Sequence, residues 1–413
     1  MTESCDVLVV GAGLAGLQCA RELQAAGRDV RVWEASDDVG GRIRSDRVDG
    51  FLVDRGFQVL NPAYPAVRQW VDVEALALQA FGAGIRVRRQ DSLAVLAHPL
   101  REPRMILPTL RSGMLTPRAV AGLLRWAGPA FASSRRKPGH DVSLRKALDR
   151  AGCSGGLRRA VDQFLAGVLL EDEGSTSNDF ALQLVRVFAT GVPGLPRDGM
   201  QALPRQLAGS LHTPVQTSTR AVSMTADGAG VRVTATNAVV RARHVVLAAD
   251  PHGAAELQGE DIPAMKGVLT HWFAADAAPS DADMICVDGR SVPGGPLVNA
   301  AVISNAAPSY APAGRHLIQT SALFGRGRAV PSEDDVRRHA GEIFGSSPAG
   351  WELVARHEIP HALPLQPPPL RSRGPVDGPS GLVFCGDYRD TASIQGALAS
   401  GHRAALSVLG RPR

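Results

Sequence analysis

The chain opens with a short apolar run, Cys5 to Val10, that stops at Gly11-Ala12-Gly13-Leu14-Ala15-Gly16. The pattern predicts a buried strand, a tight glycine turn and a helix reaching about Ala26. A second strand is expected from Asp29 to Trp33, ending on Glu34. Between residues 194 and 250 the pattern turns to strands, expected at Val215 to Ser223, Val231 to Thr236 and His244 to Ala249, with a turn at Asp227-Gly228. Another is expected at Gly267 to Ala274. A last strand, Gly381 to Cys385, exits sharply at Gly386-Asp387, and a helix beginning at Ser393-Ile394 runs to about Leu409.

With 413 residues and 44% apolar content, the chain can bury the core of one large domain or two fused ones. No apolar run approaches the roughly 18 residues that cross a bilayer. The amino terminus has no basic stretch ahead of its apolar run, so it reads as a strand and not as a signal peptide. A net charge of +5, from 45 basic and 40 acidic residues, is too mild for a nucleic-acid partner. The five scattered cysteines lack any C-x-x-C pair, which fits a reducing, cytoplasmic setting. No histidine spacing marks a metal site, so none is expected. Between Arg101 and Lys146, ten basic residues face only Glu102 and Asp141 and are interleaved with Met105, Ile106, Leu107, Leu115, Leu123, Leu124 and Trp126. A helical lid with a solvated basic face is the simpler reading; peripheral contact with anionic lipid through 101–146 is the other.

The glycine turn carries the first chemistry. A strand, Gly11-x-Gly13-x-x-Gly16, a helix and an acid closing the second strand form a dinucleotide-binding unit. Gly11 makes the turn, Gly13 lets backbone approach a pyrophosphate, and Gly16 allows close helix packing. The N–H groups of Leu14 and Ala15 face the phosphates at the positive end of the helix dipole. Glu34 accepts from a ribose hydroxyl and repels a 2′-phosphate. Beyond it, Ala35 leads into Ser36-Asp37-Asp38-Val39-Gly40-Gly41-Arg42, where paired glycines clear space for backbone and Arg42 offers a forked cation. There is no second such glycine motif, so a separate nicotinamide site is not expected.

Taken in order, DVLVVGAGLAGL, EASDDVGGR, GFLVDRGFQ, GMQALPRQLA and FCGDYRDTASIQGALASGHRAA resemble the flavin amine oxidase and phytoene (carotene) desaturase superfamily over the whole chain. That resemblance implies an FAD-dependent oxidoreductase. Gly40, Gly41 and Arg42 would run along the diphosphate and ribityl chain. Gly56 and Phe57 would pass near the flavin ring, and the backbone of Val222 near the adenine. Gly386, Asp387, Ser393 and Ile394 would close the site from the carboxy terminus, with the helix dipole at the reduced ring. Cys385 would point into the sheet, so FAD is expected to be held non-covalently. In the amine oxidases an aromatic stands where Ser393 stands here. Their active-site lysine has its nearest counterpart in Lys266, about two residues early and more simply read as a surface lysine. Lys266 and Tyr388 are the weak catalytic candidates, while His98, His252, His271 and His361 read as structural.

The implied fold is α/β: a doubly wound, Rossmann-type FAD domain (residues 1–65, 194–250 and 366–413) with a discontinuous, mixed α+β substrate domain (66–193 and 251–365). The expected chemistry is hydride transfer from a small, hydrophobic organic substrate to flavin N5, as in desaturases, with O2 or a quinone as electron acceptor. An amine oxidase releasing peroxide, a redox-neutral flavin isomerase and a non-catalytic flavoprotein are the alternatives.

Overall fold

A computed structural model describes residues 3–132, 140–228, 230–259, 261–325, 327–379 and 381–411. Arg135, Arg136 and Lys137 of the basic segment lie outside the described residues. The chain runs β1 (Glu3–Val10), α1 (Leu14–Ala25), β2 (Val30–Trp33), β3 (Ser45–Val48), β4 (Phe51–Asp54), α2 (Pro65–Trp70), β5 (Gln79–Ala80), β6 (Gly84–Arg88) and β7 (Leu93–Ala97). Then come α3 (Ile106–Leu110), α4 (Pro117–Ala127), α5 (Leu144–Arg150), α6 (Gly155–Leu169), α7 (Asn178–Thr190), β8 (Gly194–Leu195) and α8 (Ala202–Gly209). β9 (Ala221–Asp227), β10 (Gly230–Ala235), β11 (Val239–Leu247), α9 (Pro251–Gln258) and β12 (Met265–Ala275) follow. The remainder is β13 (Ile285–Asp288), β14 (Leu297–Val302), α10 (Ile303–Ala306), β15 (His316–Phe324), α11 (Glu333–Phe344), β16 (Glu352–Pro364), β17 (Leu382–Phe384) and α12 (Ile394–Val408).

Two large sheets organise these elements, giving the α/β class that the sequence implies. The first has the order β2-β1-β11-β10-β9, with β17 also paired to β11. β1 runs parallel to β2 and β11, and β17 runs parallel to β11. Val7 and Val9 turn to the face covered by α1 and α12, whereas Leu8 and Val10 pack with Ala254 of α9 and Phe384. Continuous apolar strands covered on both faces are what parallel pairing requires. The second sheet, β16-β12-β15-β14-β13-β6-β7, is largely antiparallel. Its outer face packs Leu269, Phe273, Ile318 and Ala322 against Val336, Ala340 and Phe344 of α11. Trp272 and Ala274 face the other way, into the core shared with the first sheet.

Two expectations change. The strand expected at Val215 to Ser223 forms only from Ala221; residues before it run alongside β2, with Glu34 N–H donating to the Gln216 carbonyl. Lys266 is not on the surface: β12 starts at Met265, β16 pairs across it, and Lys266 is 1% exposed.

α11 is pinned to the second sheet by a buried ionic network. Asp288 accepts from Arg290, from the Gly294 N–H and from His339 Nε2 (2.9 Å), while His339 Nδ1 accepts the Leu297 N–H. Burial works against the Asp288 charge, but these donors outweigh it and hold the carboxyl well below its usual range. Asp288→Asn, which leaves Arg290 and His339 with a neutral partner, is expected to cost about 3 kcal/mol in denaturant unfolding at neutral pH. A midpoint equal to that of the wild type would rule out a stabilising network.

Candidate functional site

The carboxyl ends of four parallel strands fall in one row: Val10 is level with Trp33 and Leu247, and Leu247 with Phe384. The next residues, Gly11, Glu34, Ala248 and Cys385, therefore leave the sheet at one edge, where ligands bind in open α/β sheets. Gly11 turns there with φ +109°, and a Cβ would strike the Ala248 carbonyl. A Cβ on Gly16 would lie 2.0 Å from the Gly11 carbonyl oxygen, so α1 can approach only without a side chain at that position.

Gly13, Leu14 and Ala15 form the first turn of α1, whose N-cap, Gly13, supplies no capping side chain. Glu34 is buried; one carboxylate oxygen accepts the Ala12 N–H (2.7 Å) and the other accepts from Ser36. Ala35 follows it into the loop. Gln201, also buried, donates to Asp38 and to the Val39 carbonyl and accepts from Ser45 N–H. It thereby fixes the loop that presents Gly40, Gly41 and Arg42. Arg42 donates to Asp387 (2.5 Å) and to the Ala362 carbonyl, and Gln58 Nε2 donates to the Arg42 carbonyl. Asp387 is buried and directly follows Gly386, beyond β17. Residues 345 positions apart thus meet at the edge of the sheet.

The residues present fit a dinucleotide. A Cβ added at Gly13 would meet no atom within 4 Å, and one at Gly41 would meet only Gly13 backbone, 3.4 Å away. Open space therefore lies beside Gly13 at an uncapped helix start, with the Gly41 backbone packed close by and Arg42 and the buried Glu34 on the adjoining loop and strand end. That donor set suits a diphosphate and a ribose.

Ser393 caps α12, its hydroxyl accepting the Gly396 N–H, and Ile394 opens the helix. Ala392, just before this start, belongs to an apolar cluster that also includes Tyr64, Phe164, Val168, Phe188 and Leu363. The rings of Phe164 and Phe188 meet edge to face at 5.3 Å. Gln395 ties Tyr64's neighbourhood to the helix by accepting the Ala66 N–H. Lys266 is the cross-strand partner of Leu363 and so shares its face of the sheet. Phe57 packs edge to face on Phe81, and Gly56 abuts Ile359. The ring of Tyr388 lies 5.1 Å from the Arg389 guanidinium. Val222 lies on β9 and is 51% exposed, while the backbone touching Glu34 belongs to Gln216 and Thr219. His271 faces away, stacked on Phe273, and burial lowers its pKa to about 4.

Gln201 lies within GMQALPRQLA, but Tyr64, Phe164 and Phe188 carry no motif signal. Asp54 does, as the acid in Gly50-Phe51-Leu52-Val53-Asp54-Arg55-Gly56. It is buried and accepts from Ser45, the Met200 N–H and Tyr310 (2.9 Å). Burial pushes its pKa up to about 6 despite those donors.

The family model for flavin containing amine oxidoreductases matches residues 14–409. Coproporphyrinogen III oxidase from Propionibacterium freudenreichii subsp. freudenreichii is 32% identical over 171 residues, 40% of this chain and 32% of that protein. Putrescine oxidase from Kocuria rosea is 28% identical over 282 residues, 60% of this chain and 57% of that one. The chain thus spans about a third to somewhat over half of these relatives. A putative protoporphyrinogen oxidase from Exiguobacterium sp. 255-15 shares the fold over the full length of both chains, with TM-score 0.74 and 17% identity.

Gly13 has φ −74° and ψ 177°, which any residue adopts, and open space beside it. Gly13→Val should therefore fold and melt like the flavin-free wild type yet lose at least about tenfold in FAD affinity, as a clash with a bound diphosphate demands. Full flavin content after purification would show that the space holds something else. For Asp54 the raised folded pKa means that the folded state holds the proton between about pH 4 and 6, so its contribution to stability falls as pH rises through that window and stays low above it. Whatever Asp54→Asn costs at pH 4, the gap to wild type should narrow by up to about 3 kcal/mol by pH 7. Melts that stay parallel across the range would contradict the shift.

Proposed function

The chain belongs to the flavin-containing amine oxidoreductase family and is thereby an FAD-dependent oxidoreductase, and we propose that it dehydrogenates an apolar small molecule in the manner of a desaturase. One observation supports this reading. The cluster that reaches the start of α12 through Ala392, near where the family resemblance would put the flavin ring, is apolar and aromatic and includes Tyr64, Phe164, Val168, Phe188 and Leu363. An amine substrate would need an aromatic wall or a free carboxylate nearby. Ser393 occupies the first position, and its hydroxyl is spent on the helix cap. The carboxylates of this segment are engaged as well, Asp387 by Arg42 and Asp390 by Arg403.

In this reading Glu34 would hold the ribose, the first turn of α1 with Gly41 and Arg42 would hold the diphosphate, and Asp387 would take a ribityl hydroxyl. The bound flavin supplies the hydride acceptor. The protein would supply substrate orientation and shielding from water. Burial raises the Tyr64 phenol well above its ordinary pKa, so it stays protonated and neutral there. Lys266, on the face of Leu363, and Tyr388 are the polar groups that this reading would assign to the reacting atoms. Cys385 is fully buried with its thiol pushed up to about 12, which supports non-covalent flavin.

Purified protein should be yellow, with its flavin released on denaturation. The dithionite-reduced flavin should reoxidise sluggishly in air. Isoprenoid or polycyclic substrates with a quinone acceptor should be turned over, and polyamines should yield no peroxide. Rapid reoxidation with peroxide formed one-for-one with an amine would replace this reading with an amine oxidase, and turnover only of pre-reduced enzyme without net oxidation would replace it with an isomerase.

A further inference from the structure

Six of the thirteen large apolar side chains left exposed among the described residues fall between residues 100 and 131: Leu100, Ile106, Leu107, Leu110, Leu124 and Phe131. Leu100 is 87% exposed and Leu124 66%. On α3, Ile106, Leu107 and Leu110 stand at i, i+1 and i+4 and share one outward face. That helix is held from behind through Thr109, whose hydroxyl accepts the Ala97 N–H of β7. α4 buries Ala119, Gly122 and Trp126, and Trp126 Nε1 donates to Asn178, which leaves Leu124 pointing outward between Arg118 and Arg125. The charge around these side chains has one sign. Arg104, Arg111 and Arg118 are exposed and form no ion pair among the described residues. The sole acid between residues 100 and 131, Glu102, is occupied by the Ala83 N–H.

We propose that this face, α3, α4 and the residues between them, docks on the surface of a bilayer containing anionic phospholipid, with the leucines entering the acyl boundary and the arginines among the headgroups. A second copy of the chain would bring like charge against like charge, and a nucleic acid would have no use for exposed leucines. An anionic membrane surface satisfies both components at once. No helix among the described residues is long and apolar enough to cross a membrane, so the attachment is peripheral. The inference stands on this surface alone and does not depend on the substrate.

The test is flotation of the flavin-loaded protein with vesicles of phosphatidylcholine alone or with about one-third phosphatidylglycerol. The protein should float with the anionic vesicles only and be released by about 0.5 M salt. Leu107→Glu with Leu110→Glu should lower the partition coefficient at least about tenfold, with the flavin spectrum and melting temperature unchanged. Arg104→Ser with Arg111→Ser should weaken binding and flatten its salt dependence. Absence of the wild type from the anionic vesicles at low salt, or flotation of the Leu→Glu variant like the wild type, overturns the proposal. A lipid-free dimer that the same Leu→Glu pair dissociates, without flotation, would assign the face to a second copy instead.

Discussion

The candidate site depends on a single row of hydrogen-bonded residues, Trp33, Val10, Leu247 and Phe384. Parallel pairing fixes where each strand ends relative to its neighbours, and a slip of one residue would turn every side chain to the opposite face. Because the faces are buried against α1 and α12 on one side and α9 on the other, that register is strongly held. It brings the glycine turn, Glu34, the Ala248 turn and the Gly386-Asp387 exit to one edge without any other device. The ion pair of Arg42 and Asp387 and the Gln201 bridge then refine what the register has already assembled.

This is also why the first sheet was legible in the sequence. β1, β2 and β17 are short, mostly apolar runs that end at or just before a glycine or an acid, and the local pattern alone sets their type and nearly their limits. The hairpin of β9 and β10 announces itself through Asp227-Gly228. The second sheet was mostly illegible. Of its seven strands, only β12 was read, and there the start was placed two residues late, which put Lys266 on the surface. Nothing local to Met265-Lys266 signals that β16, almost a hundred residues on, will cover it.

Contacts of the longest reach were the least readable. Tyr310 meets Asp54 across 256 positions, and Ser45 and Met200 meet the same carboxylate from two further segments. The acid could be picked from its motif; its partners could not. The apolar cluster that reaches α12 through Ala392 includes Tyr64 from the turn before α2, Phe164 and Val168 from α6, Phe188 from α7 and Leu363 from β16. Such a surface has no spacing rule, since its members are neighbours only after the chain has folded. The basic segment was half legible: its charge excess is visible in the sequence, whereas the outward turn of Leu107, Leu110 and Leu124 depends on which side of α3 and α4 meets the core.

The packing of α12 on α1 bears on how the protein is made. A Cβ at Gly401 would lie 2.2 Å from the Ala15 carbonyl oxygen, so the two helices sit backbone to backbone, and β17 completes the sheet beside β11. During synthesis the glycine turn emerges from the ribosome early, but the strand and helix that close over it come almost four hundred residues later. Until translation has passed about residue 408 and released that stretch, the nascent chain presents a half-built cleft. The edge that carries the glycine turn is therefore completed by its most distant segment, and its assembly waits on the synthesis of β17 and α12.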